Sequence, residues 1–325
     1  MTGNQPLPPL DAGALDDLIT VRDWLRLSVS RFEAAGLVYG HGTSGALDEA
    51  AFLILHTLHL PIDQLEPFVD ARLTWPERRC VRDILQARIT TRKPAPYLTN
   101  EAWIQGHSFY VDERVIVPRS FIGELLATGL EGLVEEAVPV RRILDLCTGS
   151  GCLAILAALA FPDAAVDAVD LSADALAVAV RNVAEYGLSE RVTLHEGDLF
   201  GPLEGRRYDV IVTNPPYVDA QGMRELPPEY AQEPALALAA GHDGLDVVRR
   251  LMAGASGHLT PSAGLLVEIG RCRPAFERAY PNLDPVWVET ETSRDEVFWL
   301  TARQLGAVTS HATGRSSKNN IKSNG

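Results

Sequence analysis

The chain has 325 residues, of which 46% are hydrophobic and 22% are charged, and these values indicate a globular protein of roughly two domains. Its formal net charge of −14 disfavours naked DNA or RNA as a partner, because an acidic surface repels phosphate, but it is compatible with a basic protein partner. No apolar run is long enough to cross a membrane, and MTGNQPLPPLDAG lacks the features of a secretory signal, so we expect a cytoplasmic protein.

The first part of the chain has the apolar spacing of helices. Residues 1–13 are rich in proline, glycine and asparagine, and we expect them to be loosely ordered. The segments VRDWLRLSVSRFEAAGL, ALDEAAFLILHTLHL and PERRCVRDILQARIT each predict a helix, with Pro61 ending the second and Pro76 in the first turn of the third. Residues 14–93 are therefore predicted to form a small helical domain that packs against the rest or selects a substrate.

A second region, from residue 94 to residue 305, has the pattern of strands. Aromatic and β-branched residues cluster in 94–120 around Gly106 and Pro118, which predicts a hairpin that links two domains. In 121–305 apolar strands alternate with helices, which predicts an α/β domain with a mostly parallel, seven-stranded sheet and helices on both faces. The last two strands have a short gap, so one of them is expected to run antiparallel. The predicted strands are 141–146, 164–169, 191–195, 207–213, 263–269, 285–289 and 296–301.

The final residues, 306–325, are polar and basic and have no periodicity. We predict a disordered tail.

The cysteines form no C-x-x-C pair. We therefore expect Cys80, Cys147, Cys152 and Cys272 to be reduced thiols, mostly in the core, and we expect no metal site.

The segment ILDLCTGSGCLAILAAL places a glycine turn between the first strand of the sheet and a helix. Gly149 and Gly151 let the backbone turn sharply and approach a ligand, and the helix beyond them offers free N–H groups. Asp170 ends the second strand, where an acid can accept the hydroxyls of a ribose. Asp198 follows the third strand, where it can accept from an adenine amine with Leu199 against the base. Both acids can also cap the segments that follow them, and capping is compatible with binding.

Two further residues distinguish between nucleoside cofactors. Ala154 stands where a dinucleotide-binding turn has its third glycine, and Asp145 adds a carboxylate that suits a sulfonium or an amino group better than a pyrophosphate. This favours S-adenosylmethionine over NAD. The predicted cofactor site consists of Asp145, Cys147, Thr148, Gly149, Gly151, Asp170, Leu171, Asp198, Leu199 and Asn214.

The fourth strand ends in IVTNPPYVDA. If a methyl donor lies at the strand ends, the Asn214 side-chain oxygen and the Pro215 carbonyl can accept from the N–H groups of a planar nitrogen as positive charge develops on it. Pro215 and Pro216 fix the backbone and remove competing donors, and Tyr217 can pack against the planar group. These four residues are the predicted catalytic residues, although the motif taken alone is also compatible with a plain strand-ending turn.

Together DLCTGSG, Asp170, GDLF and NPPYV resemble class I S-adenosylmethionine-dependent methyltransferases that act on planar nitrogen. The segments YLTNEAWIQGHSFYVDERVIVPRS and EYAQEPALALAAGHDGLD resemble the HemK/Prm family of protein-(glutamine-N5) methyltransferases, which has a helical N-terminal domain and a Rossmann-like catalytic domain. VPRS and Cys147 in DLCTGSG resemble the branch that methylates the third large-subunit ribosomal protein rather than the branch for peptide chain release factors. Phe121 departs from the proline that this branch usually has after VPRS.

This resemblance implies that Asn214 to Tyr217 hold a glutamine side chain and that Phe109 lines the site. It implies the large-subunit ribosomal protein as substrate, free or within an assembling ribosome. The alternatives are glutamine methylation of release factors and methylation of an adenine or guanine amine in nucleic acid. Direct DNA binding is not expected, because the chain is acidic.

Overall fold

The computed structural model describes residues 12–135 and 137–306, so the predictions for residues 1–11 and for the tail 307–325 lie outside the described residues. The helical domain contains four helices, of which the first begins inside the segment that we expected to be loosely ordered. The third helix, which corresponds to ALDEAAFLILHTLHL, ends at Thr57, before Pro61. The four are α1 (Ala12–Asp17), α2 (Val21–Ala34), α3 (Ala46–Thr57) and α4 (Trp75–Thr91).

Local sequence explains where two of these helices start. The Thr20 hydroxyl accepts from the backbone N–H of Asp23, and the Asp23 carboxylate accepts from the backbone N–H of Thr20, a capping box that begins α2. Thr74 and Glu77 form the same arrangement at α4, where Pro76 lies in the first turn as predicted. The apolar faces of these helices enclose a core that includes Trp24, which is fully buried.

The linker is only partly the hairpin that we predicted. A short helix, α5 (Ala95–Thr99), precedes the hairpin strands β1 (Glu101–Ile104) and β2 (His107–Tyr110). The prediction of extended structure for the start of this segment was wrong, because Pro94 and Pro96 lie at the helix start, where proline is favourable. Tyr97, in the middle of this helix, is buried.

The rest of the chain forms the predicted α/β domain. Its sheet has seven strands in the order β5-β4-β3-β6-β7-β9-β8, and β3 to β7 are parallel. Among these strands β9 alone runs opposite to the other six, antiparallel to both β7 and β8, which confirms the prediction for the end of the sheet. The strands are β3 (Arg142–Leu146), β4 (Ala165–Asp170), β5 (Val192–Glu196), β6 (Tyr208–Thr213), β7 (Leu259–Glu268), β8 (Val286–Val288) and β9 (Val297–Thr301).

Helices cover the sheet on both faces, so adjacent strand residues such as Ile143 and Leu144 are both fully buried, in two different clusters. The helices of this domain are α6 (Ile122–Ala127), α7 (Cys152–Ala160), α8 (Ala173–Glu185), α9 (Ala220–Glu225), α10 (Asp246–Gly254) and α11 (Arg273–Ala279). Within 12–135 and 137–306, no helix combines the length and apolar character that crossing a bilayer requires. Since β4 lies on one side of β3 and β6 on the other, strand order reverses at β3, where ligands of such sheets bind.

Candidate active site

A cavity of about 210 Å³ opens at the carboxyl ends of β3, β4, β5 and β6. Most of its floor comes from the turns that follow these strands. Two other segments, 114–116 and 234–239, form its outer walls, and α10 contributes Val247 and Arg250. The residues from the strand ends are Cys147, Gly149, Val169, Asp170, Leu171, Ser172, Gly197, Asp198, Leu199, Asn214 and Pro216.

Asp170 joins the glycine turn to the end of β4. Its carboxylate accepts from the backbone N–H of Gly149 at 2.8 Å and from that of Ser172 at 2.9 Å. Burial raises the pKa of Asp170, and these backbone N–H groups counteract that rise. Capping of α8 is performed by Ser172, whose hydroxyl accepts from the N–H of Ala175. Asp170 therefore lies at the cavity and is not the cap itself, and its contact with a ribose stays a prediction.

The glycine turn leaves space for a ligand at Gly149. This residue has φ +56°, and a Cβ placed on it would lie 3.8 Å from Ile116 on the facing wall. A side chain there would fill the gap between the turn and that wall. The missing side chain thus keeps the cavity open at this turn.

Asp198 and Leu199 lie at the end of β5, also as predicted. The Asp198 carboxylate accepts from the Arg250 guanidinium at 2.5 Å, and both side chains are about half exposed. Leu199 has φ +50° and Cys147 has φ +61°, an uncommon conformation for residues other than glycine. Both residues line the cavity, and strained backbone of this kind concentrates at functional sites.

Three predicted cofactor residues lie behind the turn and do not line the cavity. The buried Asp145 carboxylate accepts from the Thr148 hydroxyl at 2.5 Å, and burial raises the pKa of Asp145 to about 7. Gly151 has φ +81° and faces Ala179 of α8, where a Cβ would come within 3.2 Å. These residues support the turn from behind, and their direct contact with a cofactor stays a prediction.

The NPPY motif is divided between the cavity and the core. Asn214 and Pro216 line the cavity, whereas Pro215 and Tyr217 do not. The Tyr217 ring lies so close to Gly270 that a Cβ there would come within 2.7 Å of it, and its hydroxyl donates to Glu268 at 3.5 Å. Burial raises the pKa of the Tyr217 hydroxyl, and it raises that of Glu268 to about 7. The contact of Tyr217 with a planar target group therefore stays a prediction.

Phe109 is placed away from the cavity. Its ring is 1% exposed and stacks on Tyr186 at 5.3 Å, in the core between β2 and α8. It does not line the cavity, so this geometry does not support the expectation that Phe109 walls the site.

The outer walls and Arg250 were missed by sequence reasoning. Segment 234–239 is held beside the NPPY motif, since the Val218 N–H donates to Leu238 and the Ala240 N–H donates to Val218. No periodicity marks this segment, and its only signal was the likeness of EYAQEPALALAAGHDGLD to a family loop. Segment 114–116 had no signal of its own beyond the hairpin.

The donor set suits an uncharged or cationic nucleoside ligand rather than a metal. Within the part of the chain that the structure describes, no group of three or more His, Cys, Asp or Glu side chains is arranged to hold a metal ion. All four cysteines are free, with Cys80 exposed and Cys152 and Cys272 buried. The cavity combines two carboxylates, Asp170 and Asp198, with apolar surface from Val169 and Leu199. Carboxylates beside apolar surface are groups that can accept from the hydroxyls of a nucleoside and pack against its base.

The chain is similar to several known proteins. A family model described as "Methyltransferase small domain" matches residues 124–227. A ribosomal protein uL3 glutamine methyltransferase from Bradyrhizobium diazoefficiens is 55% identical over 304 residues, which cover 92% of this chain and 95% of the relative. One of the same description from Bordetella pertussis is 57% identical over 289 residues, covering 89% and 97%. A solved ribosomal protein L11 methylase from Lactobacillus delbrueckii subsp. bulgaricus aligns with TM-score 0.38 and 20% identity, over 55% of this chain and 77% of that one.

Proposed function

The chain belongs to the family of ribosomal protein uL3 glutamine methyltransferases, and we infer that it transfers a methyl group from S-adenosylmethionine to the side-chain amide nitrogen of a glutamine in uL3. We propose that this occurs in the cytoplasm, where ribosomal proteins are made, and that the helical domain helps to select the substrate. The observation that carries the proposal is that Asn214 and Pro216 border the same cavity as Gly149, Asp170 and Asp198.

S-adenosylmethionine supplies, when bound, an electrophilic methyl group on a sulfonium. The residues proposed to hold it are the Gly149 turn, Asp170 at the ribose, and Asp198 with Leu199 at the adenine. Arg250 orients the Asp198 carboxylate through its ion pair. The apolar surface of the cavity excludes water from the reacting groups, which strengthens the electrostatic interactions there.

Asn214 is proposed to bind the substrate amide. An amide nitrogen is a weak nucleophile because its lone pair is delocalised, and its N–H groups become more acidic as the new N–C bond forms. The Asn214 side-chain oxygen and the Pro215 carbonyl would accept from these N–H groups and so stabilise the developing charge. The turn is rigid because two prolines fix it, so little reorganisation is needed during the reaction. The nitrogen can lose its proton after transfer, so no general base is required.

The proposal is tested by methyl transfer from tritiated S-adenosylmethionine. The acceptors are free uL3, ribosomal precursor particles that contain unmethylated uL3, and total RNA from the same cells. We expect label on one glutamine of uL3, located by peptide mass spectrometry. Label on RNA with none on uL3 in either form would refute the proposal.

The role of Asn214 is tested with Asn214→Ala. We expect a loss of transfer of at least about a hundredfold, the size seen when a charge-stabilising side chain is removed, with cofactor affinity within threefold of wild type. Asn282→Ala, at an exposed position, is the matched control and should behave as wild type. If Asn214→Ala abolishes cofactor binding instead, its role in substrate binding is misassigned.

A further inference from the structure

Glu233 is a buried carboxylate just outside the cavity, and its side chain contacts two other parts of the chain, the segment 117–119 and His41. It is 5% exposed. Its two oxygens accept from the two Arg119 Nη groups at 2.5 and 2.6 Å, a bidentate pair, and Oε1 also accepts from the backbone N–H of Val117 at 2.9 Å. His41 of the helical domain lies 3.6 Å from Oε2. Burial alone would raise the pKa of Glu233, but the contacts with His41 and Arg119 outweigh it and lower that pKa to about 2.

The position of these contacts along the chain connects them to the cavity. Pro234, the residue after Glu233, begins the wall segment 234–239. Val117, whose N–H bonds to Glu233, directly follows the other wall segment, 114–116. Glu233 therefore joins the two outer walls where they approach each other. The far end of segment 234–239 is fixed separately, by backbone hydrogen bonds to Val218.

Glu229, four residues before Glu233 in the same loop, is a second buried carboxylate, and it contacts the helical domain instead of the cavity walls. It is fully buried, and it pairs with Arg92 at 2.8 Å and Arg88 at 3.5 Å and accepts from the N–H of Val38 at 3.1 Å. All of these partners belong to the helical domain or its end, and neither Glu229 nor its partners line the cavity. The loop thus has one buried acid that secures it to the helical domain and another that holds the cavity walls together.

We propose that Glu233 is a positioning residue for the cofactor: by bonding Arg119 and Val117 at once, it holds segments 114–116 and 234–239 at the separation that closes the cavity around S-adenosylmethionine. The inference rests on the proposed function, since it concerns the same cavity. Without this link the walls separate and the cofactor loses contacts on two sides, whereas the reacting groups at the end of β6 keep their own support. The expected effect is on cofactor affinity rather than on the rate of transfer at saturating cofactor.

The test is direct titration of S-adenosylmethionine, and of S-adenosylhomocysteine, into wild type, Glu233→Gln and Glu229→Gln by isothermal calorimetry. Glu233→Gln keeps the size of the side chain but points an N–H₂ or an uncharged oxygen at Arg119, so we expect affinity to fall at least tenfold. Glu229→Gln is the matched control, a buried acid of the same loop, and we expect lower thermal stability with affinity within twofold of wild type. An affinity of Glu233→Gln within twofold of wild type would overturn the proposal, as would an equal loss in both variants.

If Glu233→Gln does not fold, a milder variant can be used in the same titration. Arg119→Lys keeps the positive charge but cannot form the bidentate pair, and it should weaken cofactor affinity at least threefold. In transfer assays it should raise KM for the cofactor while kcat at saturating cofactor stays within twofold, and an unchanged KM would contradict the proposal. The titrations contain no methyl acceptor, so a wild-type protein that binds cofactor but leaves uL3 unmethylated would refute the proposed function without affecting this inference.

Discussion

Replacing Arg88 by methionine tests the polar centre of the helical domain. Arg88 is fully buried on α4, and its guanidinium donates to Glu49 at 2.7 Å and to the Val38 carbonyl at 3.1 Å. It also lies 3.5 Å from Glu229. Methionine fills a similar volume without a charge, so the decrease in the free energy of unfolding measures the lost ion pairs rather than the creation of a cavity.

The magnitude follows from what each carboxylate retains. Glu229 keeps Arg92 at 2.8 Å and the N–H of Val38, so it remains paired. Glu49 is 1% exposed, and among the side chains of residues 15–135 and 137–306 the hydrogen-bond donor that it keeps is the Thr43 hydroxyl at 3.0 Å. Removing one partner of a buried ion pair costs about 3–5 kcal/mol, because the other charge stays buried. We therefore expect Arg88→Met to lower the free energy of unfolding by about 3–5 kcal/mol at pH 7.

The loss should depend on pH. Burial raises the pKa of Glu49, and Arg88 is the largest influence that lowers it. In the variant this pKa rises further, so Glu49 becomes neutral at a higher pH and the unpaired charge disappears. The destabilisation at pH 5 should therefore be smaller than at pH 7, with an upper limit near 1.4 kcal/mol for each pH unit.

The assay is urea unfolding followed by far-ultraviolet circular dichroism at pH 5 and pH 7, with the midpoint and slope both fitted. Arg79→Met, at an exposed position of α4, is the control and should change stability by less than about 0.5 kcal/mol. Adding Glu49→Leu to Arg88→Met should restore most of the lost stability, since no unpaired charge remains. A loss below about 1 kcal/mol, or an equal loss at both pH values, would refute the reasoning.

Two further predictions concern groups near the active site. Burial raises the pKa of Glu268 from 4.5 to about 7, so the folded protein holds a proton that the unfolded chain releases, and stability falls as pH rises from 4.5 to 7. Glu268→Gln should remove about 3 kcal/mol of that fall; urea midpoints at pH 5 and 7.5 measure it, and an unchanged pH dependence would contradict the assignment. Cys147 has φ +61°, which a β-branched residue tolerates poorly, so Cys147→Val should cost about 2 kcal/mol in thermal unfolding while Cys147→Gly should not. Equal effects would mean that backbone strain is not what restricts this position.

The sheet and the centre of the site could be predicted because their signals are local. Each strand is an apolar segment of a few residues, and alternation with helices makes the sheet parallel. Parallel strands end at one edge, so Gly149 and Asp170 had to meet there, and the Gly149 N–H does bond to Asp170. Asn214 follows the neighbouring strand and reaches the same cavity for the same reason.

What could not be predicted depends on contacts between distant residues or on the direction of a side chain. Arg119 and Glu233 are 114 residues apart, and nothing in the chemistry of either residue identifies the other as its partner. The walls that this pair joins were therefore missed. Phe109 was expected at the site from resemblance, but its ring stacks on Tyr186, because the packing of neighbouring elements decides where a ring points. The ring of Tyr217 lies against Gly270, and its contact with a target group stays a prediction.

The buried ion pair between Arg88 of the helical domain and Glu229 also affects the order in which the two domains fold during synthesis. The apolar core of that domain uses residues from Leu15 to Ala95, so it can pack soon after this length of chain has left the ribosome. Its buried Arg88, however, meets Glu229 only after 141 further residues have been synthesised. During that interval the apolar core of the nascent domain is complete, whereas its buried polar network around Arg88 still lacks Glu229. Formation of the catalytic domain then completes it, so the two domains reach their final stability together although they begin to fold at different times.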